Sequence, residues 1–88
     1  MYYVYMLECA DGTLYTGWTP DLDKRIEQHS AGRGSKYVRS RLPFRLRYTE
    51  SFSTKSEAMR REYGLKQLAR SEKLALIEAH NASLQHKD

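Results

Sequence analysis

Residues 2–17, YYVYMLECADGTLYTG, decide the fold. Tyr2 to Cys9 is aromatic and β-branched, which reads as a strand. Asp11-Gly12 is a strong hairpin signal, and Thr13 to Gly17 forms the return strand. Two loop lengths fit. A two-residue turn pairs Ala10 with Thr13 and sends Tyr5 and Tyr15 to opposite faces, because side chains alternate along a strand. A three-residue loop, Ala10 to Gly12 with Gly12 left-handed, pairs Cys9 with Thr13. Tyr15 then faces Leu7, Tyr5 faces Gly17, and both tyrosines share one face.

Outward from the hairpin, Thr19 is a natural helix N-cap and Pro20 suits a first helical position. Leu22, Ile26 and His29 recur on one face up to Ser30, and Gly32 stops the helix. Residues 32–41 form a basic loop with a short helical turn around Lys36 to Arg39. Phe44 to Phe52 reads as a third strand, with Phe44, Leu46 and Tyr48 alternating against Arg45 and Arg47. Thr54-Lys55-Ser56-Glu57 is a capping box, so a helix begins near residue 55. Ala58, Met59, Tyr63, Leu65 and Leu68 give that helix a broad apolar side. Ser71 caps a last helix, with Leu74, Ile77 and Leu84 facing inward. The expected order is β-β-α-β-α-α, an α+β domain with a small three-stranded antiparallel sheet flanked by helices. Residues 1–88 make one domain with its core within about 2–80 and a frayed tail, Gln85 to Asp88.

With 40% apolar and 30% charged residues, the 88-residue chain reads as an ordinary globular protein rather than a disordered one. Its longest aliphatic run near the end, Leu74 to Ile77, is far too short to span a bilayer. The start carries no basic region or small-residue cleavage site, so no signal peptide is expected and residence is expected to be cytoplasmic. The single Cys9 excludes an internal disulfide and a thiolate-only zinc site. The net charge of +4 is unevenly spread: the segment from Lys24 to Arg47 carries eight cations and one acid, giving +7 there and −3 elsewhere. Such segregation suits a polyanionic partner, and equally a solvated basic face.

Taken singly, the polar residues have ordinary readings. Tyr5 and Tyr15 are sheet tyrosines reaching water, Arg25 and His29 share a helix face, Glu62 is an exposed helix charge, and Gly17 is a strand end. Their order says more. Tyr3-Val4-Tyr5, ten residues before Tyr15-Thr16-Gly17, resembles the paired motifs that name the GIY-YIG nucleases. Arg25 and His29 match an Arg and, four residues on, a His or Tyr in that family; Ala58 and Glu62 match its Ala-x-x-x-Glu helix. The resemblance spans roughly residues 2 to 78 and is nearest to a small stand-alone bacterial subfamily. That subfamily shares a Gly-x-x-Lys-Tyr loop, shortened here to Gly34 to Tyr37, and the Leu65 to Leu68 stretch. Tyr3 stands where the family usually has Gly, and Leu74 where many active members have Asn.

The resemblance implies a metal-dependent endonuclease. Glu62 would hold one Mg²⁺ or Mn²⁺, Tyr5 would be the general base and Tyr15 would orient water or phosphate. Arg25 would grip the scissile phosphate, and its charge would favour the Tyr5 phenolate. His29 would relay a proton or orient the site, with Gly17 as a structural member. Arg33, Lys36, Arg39 and Arg41 would contact flanking phosphates of a nucleic acid, DNA before RNA, in repair or recombination. The rival readings are a nucleic-acid-binding module with little catalysis, favoured by Leu74, and a protein-interaction domain with a basic face.

Overall fold

The structure, a computed structural model, describes residues 1–85. Strands β1 (Tyr2–Cys9), β2 (Leu14–Thr19) and β3 (Phe44–Phe52) form one antiparallel sheet in the order β2-β1-β3. Helix α1 (Leu22–Ser30) and the one-turn α2 (Lys36–Arg39) lie between β2 and β3, and α3 (Lys55–Lys66) and α4 (Arg70–Gln85) follow. The α+β class and the expected order hold, with α2 as the short turn in the basic loop. The expected frayed tail lies outside the described residues, apart from Gln85 at the end of α4.

The hairpin takes the three-residue loop. Cys9 N–H donates to the Thr13 carbonyl, Gly12 N–H donates to the Cys9 carbonyl, and Gly12 has φ +83°. Leu7 therefore pairs with Tyr15 and Tyr5 with Gly17, which places both tyrosines on one face.

The central strand is covered on both sides. On its front face Tyr5, Leu7, Cys9 and Val38 form a core with Tyr15, Leu22, Ile26 and Phe44, so α1 and α2 pack there. On its back face Val4 and Met6 pack with Tyr48, Ala58, Leu65 and Ile77 from β3, α3 and α4. Four consecutive residues, Val4 to Leu7, are fully buried as a result. Burying both sides of one strand lets 88 residues support two thin cores.

Local structure departs from the expected boundaries at several points. Thr19 ends β2 and is buried; its hydroxyl bonds the Asp21 backbone, and Asp21 caps α1 through its carboxylate and Lys24 N–H. The Asx side chain takes the cap, and Pro20 precedes it. In β3 a bulge opposite Met6 and Leu7 breaks the simple alternation: Met6 pairs with Tyr48 but Leu7 with Leu46. Phe44 therefore joins the front core and Tyr48 the back one, because an extra residue flips the faces that follow it. That extra residue, Arg47, donates to Glu8 at 2.6 Å. The capping box at Thr54 and Glu57 is present in both directions. The inner side of α3 is narrower than its apolar residues suggest: Ala58 and Leu65 are buried, but Met59 and Tyr63 are exposed. Helix α4 starts at Arg70, with Glu72 accepting from Ala69 N–H, about two residues earlier than a Ser71 cap allows. Ile77 faces in, whereas Leu74 and Leu84 are exposed.

Candidate active site

Tyr5 and His29 meet in the front core. The Tyr5 hydroxyl lies 2.8 Å from His29 Nε2, and both side chains are fully buried. The odd hairpin loop brings Tyr15 to the same face, where its ring meets His29 edge-on at 5.5 Å and Tyr5 at 6.3 Å. Phe44 closes the other side of the imidazole at 6.1 Å. Gly17 makes the arrangement possible: a Cβ there would stand 2.6 Å from the Tyr5 hydroxyl oxygen and 2.8 Å from Cζ. Glycine is thus required by close approach, not by its backbone angles.

The charges around this pair come from two layers. Burial pushes the Tyr5 phenol well above its usual range, and the neighbouring Tyr15 adds to this. Arg25 opposes them through its charge, while Glu62 raises the phenol further. Arg25 pulls toward phenolate as expected, but desolvation outweighs that pull and the resting phenol is neutral. His29 is held below the ordinary imidazole range, first by burial and then by the Arg25 charge, so it too is neutral near pH 7. A neutral phenol bonded to a neutral imidazole is a proton-transfer pair without a net buried charge.

Glu62 lies in the middle of α3, half-buried, with Lys66 Nζ 3.6 Å from its carboxylate. Although α3 packs on the back face, the Glu62 charge is felt at the Tyr5 phenol, as the smallest of the effects on it. Among the described residues no group of three or more His, Cys, Asp or Glu side chains gathers as a metal cluster. A lone carboxylate such as Glu62 suits an ion of the Mg²⁺ type, which keeps several waters and completes its shell with phosphate oxygens. It does not fit zinc, which demands several nitrogen or sulfur ligands.

The structure thus brings Tyr5, Tyr15, Gly17 and His29 together, with the Arg25 and Glu62 charges felt at the Tyr5 phenol. The basic residues divide. Arg33, Lys36 and Arg39 line one cavity. Arg41 stands outside it, ion-paired with Asp11 at 3.0 Å and stacked 3.8 Å above the Tyr37 ring. Tyr37 in turn stacks on Tyr15 at 5.9 Å, so an aromatic ladder runs from His29 to the surface. Tyr37 and Phe44 were not among the sequence-derived site residues, nor was Gly34, which abuts His29. Tyr37 and Gly34 lie in the shortened Gly-x-x-Lys-Tyr loop, the signal that pointed to them.

Comparison with known proteins places this geometry in context. The model of the GIY-YIG catalytic domain matches residues 1–75. A UPF0213 protein of Halobacterium salinarum is 59% identical over 77 residues, covering 88% of this chain and all of that protein. A UPF0213 protein of Streptococcus agalactiae is 53% identical over 78 residues, 89% of each chain. The solution structure of the UPF0213 protein BH0048 from Bacillus halodurans superimposes with a TM-score of 0.59 at 52% identity, covering 90% of this chain and 85% of that one. The solution structure of protein EF2693 from E. faecalis gives 0.62 at 35% identity, covering 99% and 91%.

Proposed function

Because the chain belongs to the GIY-YIG family, we propose that it is a metal-dependent endonuclease that hydrolyses phosphodiester bonds of nucleic acid. The observation that carries this reading is the buried Tyr5–His29 hydrogen bond of 2.8 Å, with Arg25 and Glu62 both acting on the same phenol.

Tyr5 is the general base. As its oxygen takes a proton from the attacking water, its own proton passes to His29 Nε2, so no naked phenolate need form in the buried site. The resulting hydroxide attacks phosphorus and the 3′ oxygen leaves, gaining a proton from solvent. Arg25 grips the scissile phosphate with a guanidinium fork and offsets the negative charge gathering on it. Tyr15 orients the water or the phosphate. Glu62 would hold one Mg²⁺ or Mn²⁺, which when bound supplies Lewis-acid stabilisation of the phosphate and the leaving oxygen. Arg33, Lys36, Arg39 and Arg41 form the basic flank for neighbouring phosphates. DNA is the favoured substrate, in repair or recombination in the cytoplasm. No helix of the described residues is long and apolar enough to cross a membrane.

A nucleic-acid-binding module with the same fold is the second reading. Leu74, where an Asn is common in active members, is exposed on α4 and supplies no polar group. One experiment separates the two: cleavage of labelled single-stranded, duplex, flapped and branched DNA and RNA with Mg²⁺ or Mn²⁺. Wild type is compared with Tyr5→Phe, Arg25→Ala and Glu62→Ala. Metal-dependent cutting lost in all three variants is the expected result. Binding without cutting, unchanged by the three substitutions, would leave only the module.

A further inference from the structure

Between α1 and α2 the chain wraps a cavity of about 420 Å³ lined by Gly32, Arg33, Gly34, Ser35, Lys36 and Arg39. Three of these residues are cations and none is an acid. Arg41, Arg47 and Arg61 each meet a carboxylate, whereas among the described residues Arg33, Lys36 and Arg39 make no ion pair. Three uncompensated cations around one concavity suit a compact oxyanion, which guanidinium and ammonium groups bind by charge-assisted hydrogen bonds.

Gly34 joins this cavity to the catalytic pair. A Cβ on Gly34 would stand 2.4 Å from His29 Nδ1, so only a bare backbone separates the imidazole from the cavity. Nδ1 is fully buried and has no hydrogen-bond partner, while Nε2 meets Tyr5. An orphaned buried N–H is tolerated less well than an orphaned lone pair. In the protein alone the ring proton therefore favours Nε2, where it points at Tyr5 and blocks proton acceptance. Negative charge brought against Gly34 favours the opposite tautomer, with the proton on Nδ1 and the Nε2 lone pair free for Tyr5.

We propose that residues 32–39 form a binding site for one phosphate group of a polynucleotide, and that a phosphate seated there turns the His29–Tyr5 pair into its proton-accepting form. The inference rests on the nucleic-acid reading above and adds to it that a substrate phosphate seated against Gly34 prepares the base. It explains why the loop is glycine at 34 and basic at 33, 36 and 39. Arg41, held by Asp11 and stacked on Tyr37, lies outside this cavity.

The test is a nitrogen-15 NMR titration of the full chain with inorganic phosphate at constant ionic strength, observing backbone amides and histidine ring nitrogens. Saturable shifts confined to residues 32–39 are expected, with His29 Nδ1 moving toward the protonated and Nε2 toward the unprotonated position. The combined variant Arg33→Ala, Lys36→Ala, Arg39→Ala should lose both responses. The combined variant Lys55→Ala, Arg60→Ala, Lys73→Ala removes equal charge elsewhere and should keep them. A 5′-phosphorylated dinucleotide should give the same pattern at lower concentration than inorganic phosphate. Shifts that persist in the first variant, ring nitrogens that do not move, or a dinucleotide that fails to compete with phosphate would each overturn the proposal. None of these readouts requires cleavage, so failure of the nuclease reading and failure of this one remain distinct.

Discussion

At the residue scale, two glycines mark where backbone and chemistry touch. Gly17→Ala drives a methyl into the Tyr5 ring within a rigid strand pair. It should cost about 1–3 kcal/mol of stability, seen as a lowered urea midpoint. Gly34→Ala meets His29 just as closely, but a loop can yield where a paired strand cannot. Its stability loss should be smaller, while displacement of the imidazole by about 1 Å should reduce cleavage by roughly 100-fold. His29 also fixes a pH dependence. Its folded value lies below the ordinary imidazole value of 6.5, so the unfolded chain takes up the proton first as pH falls. Stability is therefore complete above about pH 6.5 and declines as pH drops toward the lower folded value. Urea midpoints measured between about pH 7.5 and pH 5 should fall for wild type and fall less for His29→Asn. The sequence marked these positions unevenly. Tyr5, Tyr15, Arg25, His29 and Glu62 were legible as an ordered set, because chemistry restricts residue type. Gly34 and Tyr37 act through distance and stacking across a loop, for which spacing along the chain gives no measure.

At the element scale, the hairpin and α3 were the most legible parts, each for a local reason. The loop at Asp11-Gly12 has a left-handed glycine and a register that its own length dictates. The box at Thr54 and Glu57 satisfies two otherwise free N–H groups. Thr54→Ala should lower stability by about 1 kcal/mol without changing the slope of urea unfolding. Loosening the first turn of α3 should reduce cleavage far less than Glu62→Ala does. What resisted reading was non-local. The β3 bulge depends on how Arg47 meets Glu8 across the sheet. The exposure of Met59, Tyr63 and Leu74 depends on how much sheet exists for the helices to cover. Apolar side chains outnumber the places that can bury them in so small a domain.

At the scale of the whole molecule, the uneven charge has a measurable signature. Binding to plain duplex DNA should weaken as salt rises, with the logarithmic slope set by the number of phosphates neutralised. Removing Arg33, Lys36 and Arg39 together should reduce that slope by roughly two to three. Glu62→Ala should abolish cutting and leave the slope unchanged, because in the proposed mechanism that carboxylate contributes chemistry and not grip.

The strand at the centre of the sheet, buried on both sides from Val4 to Leu7, carries a consequence for how such a protein can change over generations. Tyr5 sits between two residues that belong to the opposite layer. A substitution that reshapes the packing of Val4 or Met6 against α3 and α4 shifts the phenol by the same backbone movement. Under the proposed mechanism, drift in that rear layer is thus filtered by the reaction itself. Variants isolated for restored activity after damage to Tyr5's surroundings should fall as often behind the sheet as in front of it, among residues that never come near a phosphate.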